Sequence, residues 1–468
     1  MPSSAFNKMR AMYPVFTYKN YHLTADDEFI SIVFDFEIDG LCEFHPSVKI
    51  QKSNLDIVNG YNSPTAQKII FNLGMVELIS YWKCACPKTV RVECGHLSAQ
   101  AVAFWKQLYF GGLSEFFYTN DIQINIDSFM TIVSLPEEHH SESCDCGCRD
   151  EFEYISKGIN LIPIGGGKDS AVTAELLKSF GEKNKFFTVN NQPARTETVL
   201  AAGYSEDDIV RTFRTIDKNL LTLNSQGFLN GHTPFSAIVA FLSLYCAYLI
   251  GGNYIVLSNE SSANESNIEG TEVNHQYSKS YQFENDFTEY VRDNIVDSIQ
   301  YFSMLRPFSE LQIAKMFSRL PQYHKIFRSC NRGSKQNVWC AKCAKCLFVY
   351  SILSPFIDTE KMVEIFGSEM LNDSELIGIF DGLVGFTPVK PFECVGTVSE
   401  INFALLKLCE RYKKEQKEMP CLLKHFYEKA DKSILDENLL TEYNPLNNVP
   451  DDFLFAVKEM YENVAENG

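Results

Sequence analysis

Positive charge is scarce in this chain. Lys and Arg number 42 against 60 Asp and Glu, a formal net charge of -18 at pH 7. That balance argues against a protein that wraps a nucleic-acid backbone, which normally presents a basic surface. A secretory leader is also missing: the opening MPSSAFNKMRAMYPVF has no clean apolar stretch followed by a small-residue cleavage site. The 15 cysteines are therefore expected in a reducing compartment, the cytoplasm, serving metals or chemistry rather than disulfides. Nor is there an unbroken apolar span. Residues 233–259 carry no charge, but Gly251, Gly252 and Asn253 interrupt them. This predicts a buried helix over Pro234–Ile250, capped by Thr233, and a strand over Tyr254–Leu257, with no membrane crossing. No internal repeat is present.

The 468 residues exceed what one core usually serves. In FISIVFDFEID, Ile32, Phe34, Phe36 and Ile38 alternate with polar residues, as in a half-buried strand. Two helical patterns follow, AQKIIFNLGMVELISYWK and LSAQAVAFWKQLYF, so residues 1–135 are expected to form an α+β domain. An acidic segment, 136–152, is a candidate linker. Its Cys144, Cys146 and Cys148, near His139 and His140, lack a matched second half of a metal site and are assigned to a solvated loop. In 153–347, strand patterns (INLIPI, NKFFTVN, NYIVLSNE) alternate with helical ones. That rhythm predicts an α/β domain on a mostly parallel sheet. Pro163 is tolerable near the end of its strand. Residues 348–468 have mainly helical patterns.

The stretch LIPIGGGKDSAV first suggests chemistry. Gly165, Gly166 and Gly167 let the backbone approach an anion, and a helix starting near Ser170 would aim its free N–H groups at it. Lys168 could neutralise charge, Asp169 could place Mg²⁺, and Ser170 could donate a hydroxyl bond. A Walker A loop is excluded because Asp169 separates Lys168 from Ser170, and the Rossmann fingerprint fails as well. The order of residues resembles the SGGxDS loop of the PP-loop ATP pyrophosphatase superfamily, with Gly165 in place of the first serine. That resemblance implies an adenine nucleotide α-hydrolase-like fold and cleavage of ATP between its α and β phosphates. It also places Asn190, Ser258, Asn259 and Glu260, at strand ends, near the nucleotide or its metal.

Cys330, Cys340, Cys343 and Cys346 are spaced C-x9-C-x2-C-x2-C. Four thiolates so arranged suit a structural zinc ion; an iron–sulfur role remains open. Lys335, Lys342 and Lys345 would offset a tetrathiolate charge.

Further segments sharpen the resemblance: GLSEFFYTNDI, LNGHTPFSAIVAFLSL, LSNESSANES, VNHQYSKSYQFE, LRPFSELQIAK, FRSCNRG, WCAKCAKCLFV and KPFECVGT. Together with GGGKDS they are similar to the MurL family, UDP-N-acetylmuramoyl-L-alanyl-L-glutamate epimerases, from about Phe29 to Thr397. Cys144 to Cys148, and Cys84, Cys86 and Cys94, depart from the family pattern. The resemblance implies Mg-ATP, adenylation of the glutamate α-carboxylate, inversion at Cα and hydrolysis, with a UDP-linked muramoyl dipeptide as partner. Acid–base groups are then needed on opposite faces of Cα. The candidates are His232, His275, Lys279, Glu260 and Cys394, with His232 just ahead of a helix start. Arg306 and Arg328 suit carboxylate or diphosphate groups. Two other readings stand beside this one: a PP-loop enzyme that thiolates or amidates tRNA or a nucleobase, and a zinc-stabilised nucleotide-binding module without activity.

Overall fold

Alternating burial shapes the first strands. Phe29–Ile38 buries every second residue, Ile30, Ile32, Phe34, Phe36 and Ile38, as expected for a strand with one face on a core. A computed structural model describes residues 4–53, 55–136, 154–268, 273–431 and 437–465. Cys144, Cys146, Cys148, His139 and His140 lie outside the described residues. The chain is an α/β protein with a large mixed sheet. Its strands are β1 (Val15–Ala25), β2 (Phe29–Ile38), β3 (Cys42–Phe44), β4 (Ser47–Gln51), β5 (Thr89–His96), β6 (Thr131–Leu135), β7 (Ile159–Pro163), β8 (Asn184–Val189), β9 (Ile209–Thr215), β10 (Gly252–Leu257) and β11 (Gln300–Ser303).

Two units share the chain, and they interleave along it. The first takes residues 1–161, 210–255 and 282–301; the second takes 162–209, 256–281 and 302–468.

In the first unit β1 runs antiparallel to β2 and parallel to β5, β5 runs parallel to β6, and β2 and β9 flank β4 in antiparallel pairs. β7 and β10 pair in parallel. The expectation of a mostly parallel sheet for 153–347 is therefore corrected at β9. There the strand pairs antiparallel with β4 of the N-terminal region, which makes the sheet mixed. Pro163 is the last residue of β7, where its missing N–H costs no internal ladder bond.

The helix Pro64–Trp82 packs on β1, on β2 and on the helix Phe235–Ile250. Gly74 permits this: a Cβ there would stand 1.9 Å from the Tyr18 hydroxyl. The uncharged stretch resolves into a buried helix and β10. The helix begins at Phe235 with Pro234 as its cap, one residue later than predicted, and ends at Gly251 with φ 72°. Pro234 cannot supply a side-chain cap, and its ψ of 71° keeps it outside the helix. Among the described residues no helix is long and apolar enough to cross a membrane.

A buried ion pair ties this unit together. Arg214 on β9 donates from Nε and Nη2 to both carboxylate oxygens of Glu77, at 2.8 and 2.7 Å. Glu77→Ala is expected to destabilise the protein by about 3–5 kcal/mol by leaving the guanidinium buried without its partner. Chemical denaturation checks this, and a loss within about 0.5 kcal/mol of zero would contradict it.

In the second unit the helix Lys168–Leu176 packs on Glu310–Ser318, which packs on Ala344–Leu353, which packs on Val398–Lys414. The N-terminal residues of these helices meet. Gly396, just before the last of them, lies at the meeting point. A Cβ there would be 2.9 Å from Glu310 Cγ, Glu400 Oε2 and a Phe348 ring carbon. Capping boxes satisfy the Glu310 and Val398 helix starts, and Glu310 N–H also donates to Glu400 Oε1 at 2.7 Å, whereas the Lys168 helix has no side-chain cap.

Candidate active site

The glycine loop meets its geometric requirements. Gly166 has φ 84°, open space surrounds Gly165, and a Cβ at Gly167 would be 3.3 Å from Ser329 Cβ. The following helix starts at Lys168, two residues earlier than expected, with Gly167 as its cap and no side-chain capping bond. Ser170 Oγ turns back to Gly167 O at 3.1 Å. A carbonyl is already its partner, so the hydroxyl is committed to the loop.

Lys168 is buried, 2% exposed, and its Nζ donates to Asp169 and to Glu310. Burial opposes the ammonium, but Asp169, Glu310 and Glu260 raise its pKa overall. Burial opposes the Asp169 carboxylate, yet Lys168, Lys345 and Lys279 draw its pKa down. Glu310 is the reverse: burial, with Asp169 and Glu260 nearby, pushes it up to about 8 despite Lys168. Sequence reading did not single out Glu310. It follows the capping residue Ser309, where a glutamate reads as an ordinary first-turn residue.

At the strand ends, Asn190 closes β8 with φ 61°. Ser258 Oγ is buried and has no hydrogen-bond partner among the described residues. Asn259 O accepts from Ser303 Oγ at 2.6 Å. Glu260 is buried, with Ser262 Oγ 3.3 Å from its Oε1.

Two segments zip together to present Cys394. Lys390 N donates to Asn267 O at 2.9 Å, and Asn267 Nδ2 donates to Pro391 O at 3.0 Å. Gln276 Nε2 reaches Val395 O at 3.2 Å. This places Lys279 Nζ 3.2 Å from Cys394 Sγ, with His275 also hydrogen-bonded to the thiol. Burial raises the thiol pKa, but Lys279, His275 and Lys345 outweigh it and bring it down to about 6. At neutral pH the group is a thiolate. Burial likewise opposes the Lys279 ammonium, while Cys394 and Glu260 raise its pKa overall.

The arginines turn inward. Arg306 is fully buried and donates to Glu260 O at 2.7 Å and Lys279 O at 2.6 Å. It fixes the backbone of two candidate residues. Arg328 donates through its guanidinium to Asn337 O and Phe327 O, and burial lowers its pKa. His232 belongs to the first unit, with Nδ1 3.5 Å from a Glu115 carboxylate oxygen. Helix Phe235–Ile250 begins three residues beyond it.

The four cysteines of the C-x9-C-x2-C-x2-C motif converge, all sulfurs lying within 4.8 Å of one another. Cys330–Cys343, Cys340–Cys346 and Cys343–Cys346 are separated by 3.9, 3.7 and 3.5 Å. A tetrahedral ion with metal–sulfur bonds of about 2.3 Å demands sulfur–sulfur edges of about 3.8 Å, so the cluster fits zinc without rearrangement. Cys84, Cys86 and Cys94 lie in the first unit. Burial pushes Cys84 and Cys94 up to about 12 and Cys86 well above its usual value, which keeps all three protonated.

Comparison with known proteins places these features in one lineage. The MurL N-terminal domain matches residues 7–304, and the MurL C-terminal domain matches 326–439. The UDP-N-acetyl-alpha-D-muramoyl-L-alanyl-L-glutamate epimerase of Xanthomonas oryzae pv. oryzae is 33% identical over 362 residues, covering 76% of this chain and 77% of the relative. Its namesake from a Micromonospora species is 33% identical over 356 residues, covering 74% and 76%. The Salinispora tropica epimerase is 33% identical over 354 residues, covering 74% of each. With the two domain models matched in order, the first spanning the glycine loop and the second Cys394 and the four cysteines, and with relatives 33% identical over about three-quarters of the chain, the chain belongs to the MurL family.

Proposed function

We propose that this chain inverts the terminal L-glutamate of UDP-N-acetylmuramoyl-L-alanyl-L-glutamate, consuming ATP to AMP and pyrophosphate, in peptidoglycan precursor synthesis. The observation that carries the chemistry is Cys394 Sγ, 3.2 Å from Lys279 Nζ and hydrogen-bonded to His275, in the unit that also carries the glycine loop. A glutamate α-proton is hard to remove while the adjacent carboxylate is charged. Adenylation cancels that charge and lets the carbonyl take up the carbanion as an enolate.

In this reading the loop is a PP-loop. The Gly165–Gly167 backbone and the uncapped N-terminus of Lys168–Leu176 receive the triphosphate. The orphaned Ser258 Oγ, with Asn190 and Asn259 at the neighbouring strand ends, faces the nucleotide. Asp169 would hold Mg²⁺, which supplies charge neutralisation at the phosphates. Lys168 orients Asp169 and Glu310, and Arg306 orients Glu260 and Lys279. Cys394 moves the proton on one face of Cα, and His275 and Lys279 set its charge. Zinc in the tetrathiolate stabilises the fold.

The test is a chirality assay with purified UDP-muramoyl dipeptide and Mg-ATP. D-glutamate should appear in the product, with AMP released only when the dipeptide is present. No change of chirality would sink the proposal, and AMP release with tRNA or a deazapurine acid instead would favour a nucleobase-modifying enzyme.

A further inference from the structure

The four-cysteine loop touches both halves of the proposed chemistry. On one side, the Arg328 N–H donates to Gly166 O at 2.6 Å, and Ser329 abuts Gly167. The residues just before Cys330 thus brace the phosphate loop. On the other side, Asn331 Nδ2, just after Cys330, donates to the Glu393 carboxylate at 2.9 Å. Lys345, lying between Cys343 and Cys346, donates to the Cys394 carbonyl. Its side chain is buried, 8% exposed. Its ammonium also bears on Asp169, Glu310 and Glu393.

Lys345 has an unusual anchorage. Cys343 caps the helix Ala344–Leu353, and Cys346 lies in its first turn. An ion bound to both sulfurs would lock the backbone on either side of Lys345. The head group is then held by its hydrogen bond to the Cys394 carbonyl and lies 5.7 Å from the centroid of the Phe348 ring.

We propose that the cysteine loop is a positioning device that holds the phosphate loop and residues 393–394 in register, with Lys345 as the positioning residue for Cys394. This rests on the reading of Cys394 as the proton carrier. It extends the role of the metal-binding loop from holding the fold together to aligning the adenylating and proton-transferring parts of the second unit.

The groups facing Cys394 are Lys279, His275, Lys345 and its neighbour Glu393, and among them Lys345 is the cation that the cysteine loop itself carries. The experiment measures Cys394 alkylation by iodoacetamide against pH, read by mass spectrometry on the full chain without substrate. Lys345→Met should keep bound zinc and thermal stability while the alkylation midpoint rises by about one pH unit, the scale of one nearby charge. Lys345→Arg should restore the midpoint. An unchanged midpoint in Lys345→Met overturns the proposal. In a second arm, zinc is stripped from the wild type by chelation. The midpoint should rise and binding of a fluorescent ATP analogue should weaken together; loss of thermal stability with both readouts unchanged also overturns the proposal. Because alkylation needs no turnover, failure of the epimerase reading is scored separately, by the chirality assay.

Discussion

Cys394→Ala should lower deuterium incorporation at the glutamate Cα, in D2O with Mg-ATP, by about 10²–10⁴-fold, the usual contribution of a positioned acid–base group. AMP release should continue in this variant, and the hydrolysed product should keep the L configuration. The two activities part because adenylation needs the phosphate loop, whereas proton removal needs the thiolate. The pH dependence follows from the same geometry. Burial raises the Cys394 thiol, but Lys279, the His275 hydrogen bond and Lys345 bring it down to about 6. Below that pH the thiolate is protonated, and exchange from the L-glutamyl side should fall about tenfold per unit. Above it the thiolate limb is flat. Exchange persisting in Cys394→Ala at the wild-type rate would remove the residue from the proton path, and loss of AMP release would move it to adenylation.

Asp169→Asn should reduce AMP formation by about 10²–10³-fold, the range seen when a preorganised electrostatic contact to a reacting group is removed. Its fold should survive, because Lys168 keeps Glu310 as a buried partner. Lys168→Met predicts a different outcome. Without the ammonium, Asp169, Glu260 and Glu310 are left as neighbouring acids in a buried setting. The variant should lose stability by about 3–5 kcal/mol as well as activity. Thermal or denaturant unfolding measured beside AMP release separates the two cases. Equal stability of Lys168→Met and wild type would mean that the Lys168–Glu310 pair does not hold the unit together.

Local chemistry was legible in the chain. The glycines of GGGKDS, the alternation in FISIVFDFEID and the Gly251 break act through neighbouring residues, so their consequences sit close to them in sequence. The cysteine spacing was also readable, since Cys343 and Cys346 lie one helical turn apart and fix half of the cluster. Local rules failed where partners came from afar. β9 was not among the strand patterns named for 153–347, and it pairs with β4, more than 150 residues earlier. Arg306 read as an anion-binding residue, and the fold also gives its Nη1 and Nη2 two main-chain carbonyls to hold.

The sequence by itself determined the family, the glycine loop, the four-cysteine motif and a short set of acid–base candidates including Cys394. Each is a pattern of residue type and spacing that holds before folding. The tertiary structure decided that Lys279 and His275, about 115 residues from Cys394, meet its thiol and lower its pKa. It also brought in Glu310 and Lys345, neither of which carried a motif of its own as a site residue. Glu310 meets Lys168 and Lys345 meets the Cys394 carbonyl, contacts between residues far apart in the chain. A charge acquires its effect on another group only through distance and burial, and those are properties of the folded chain.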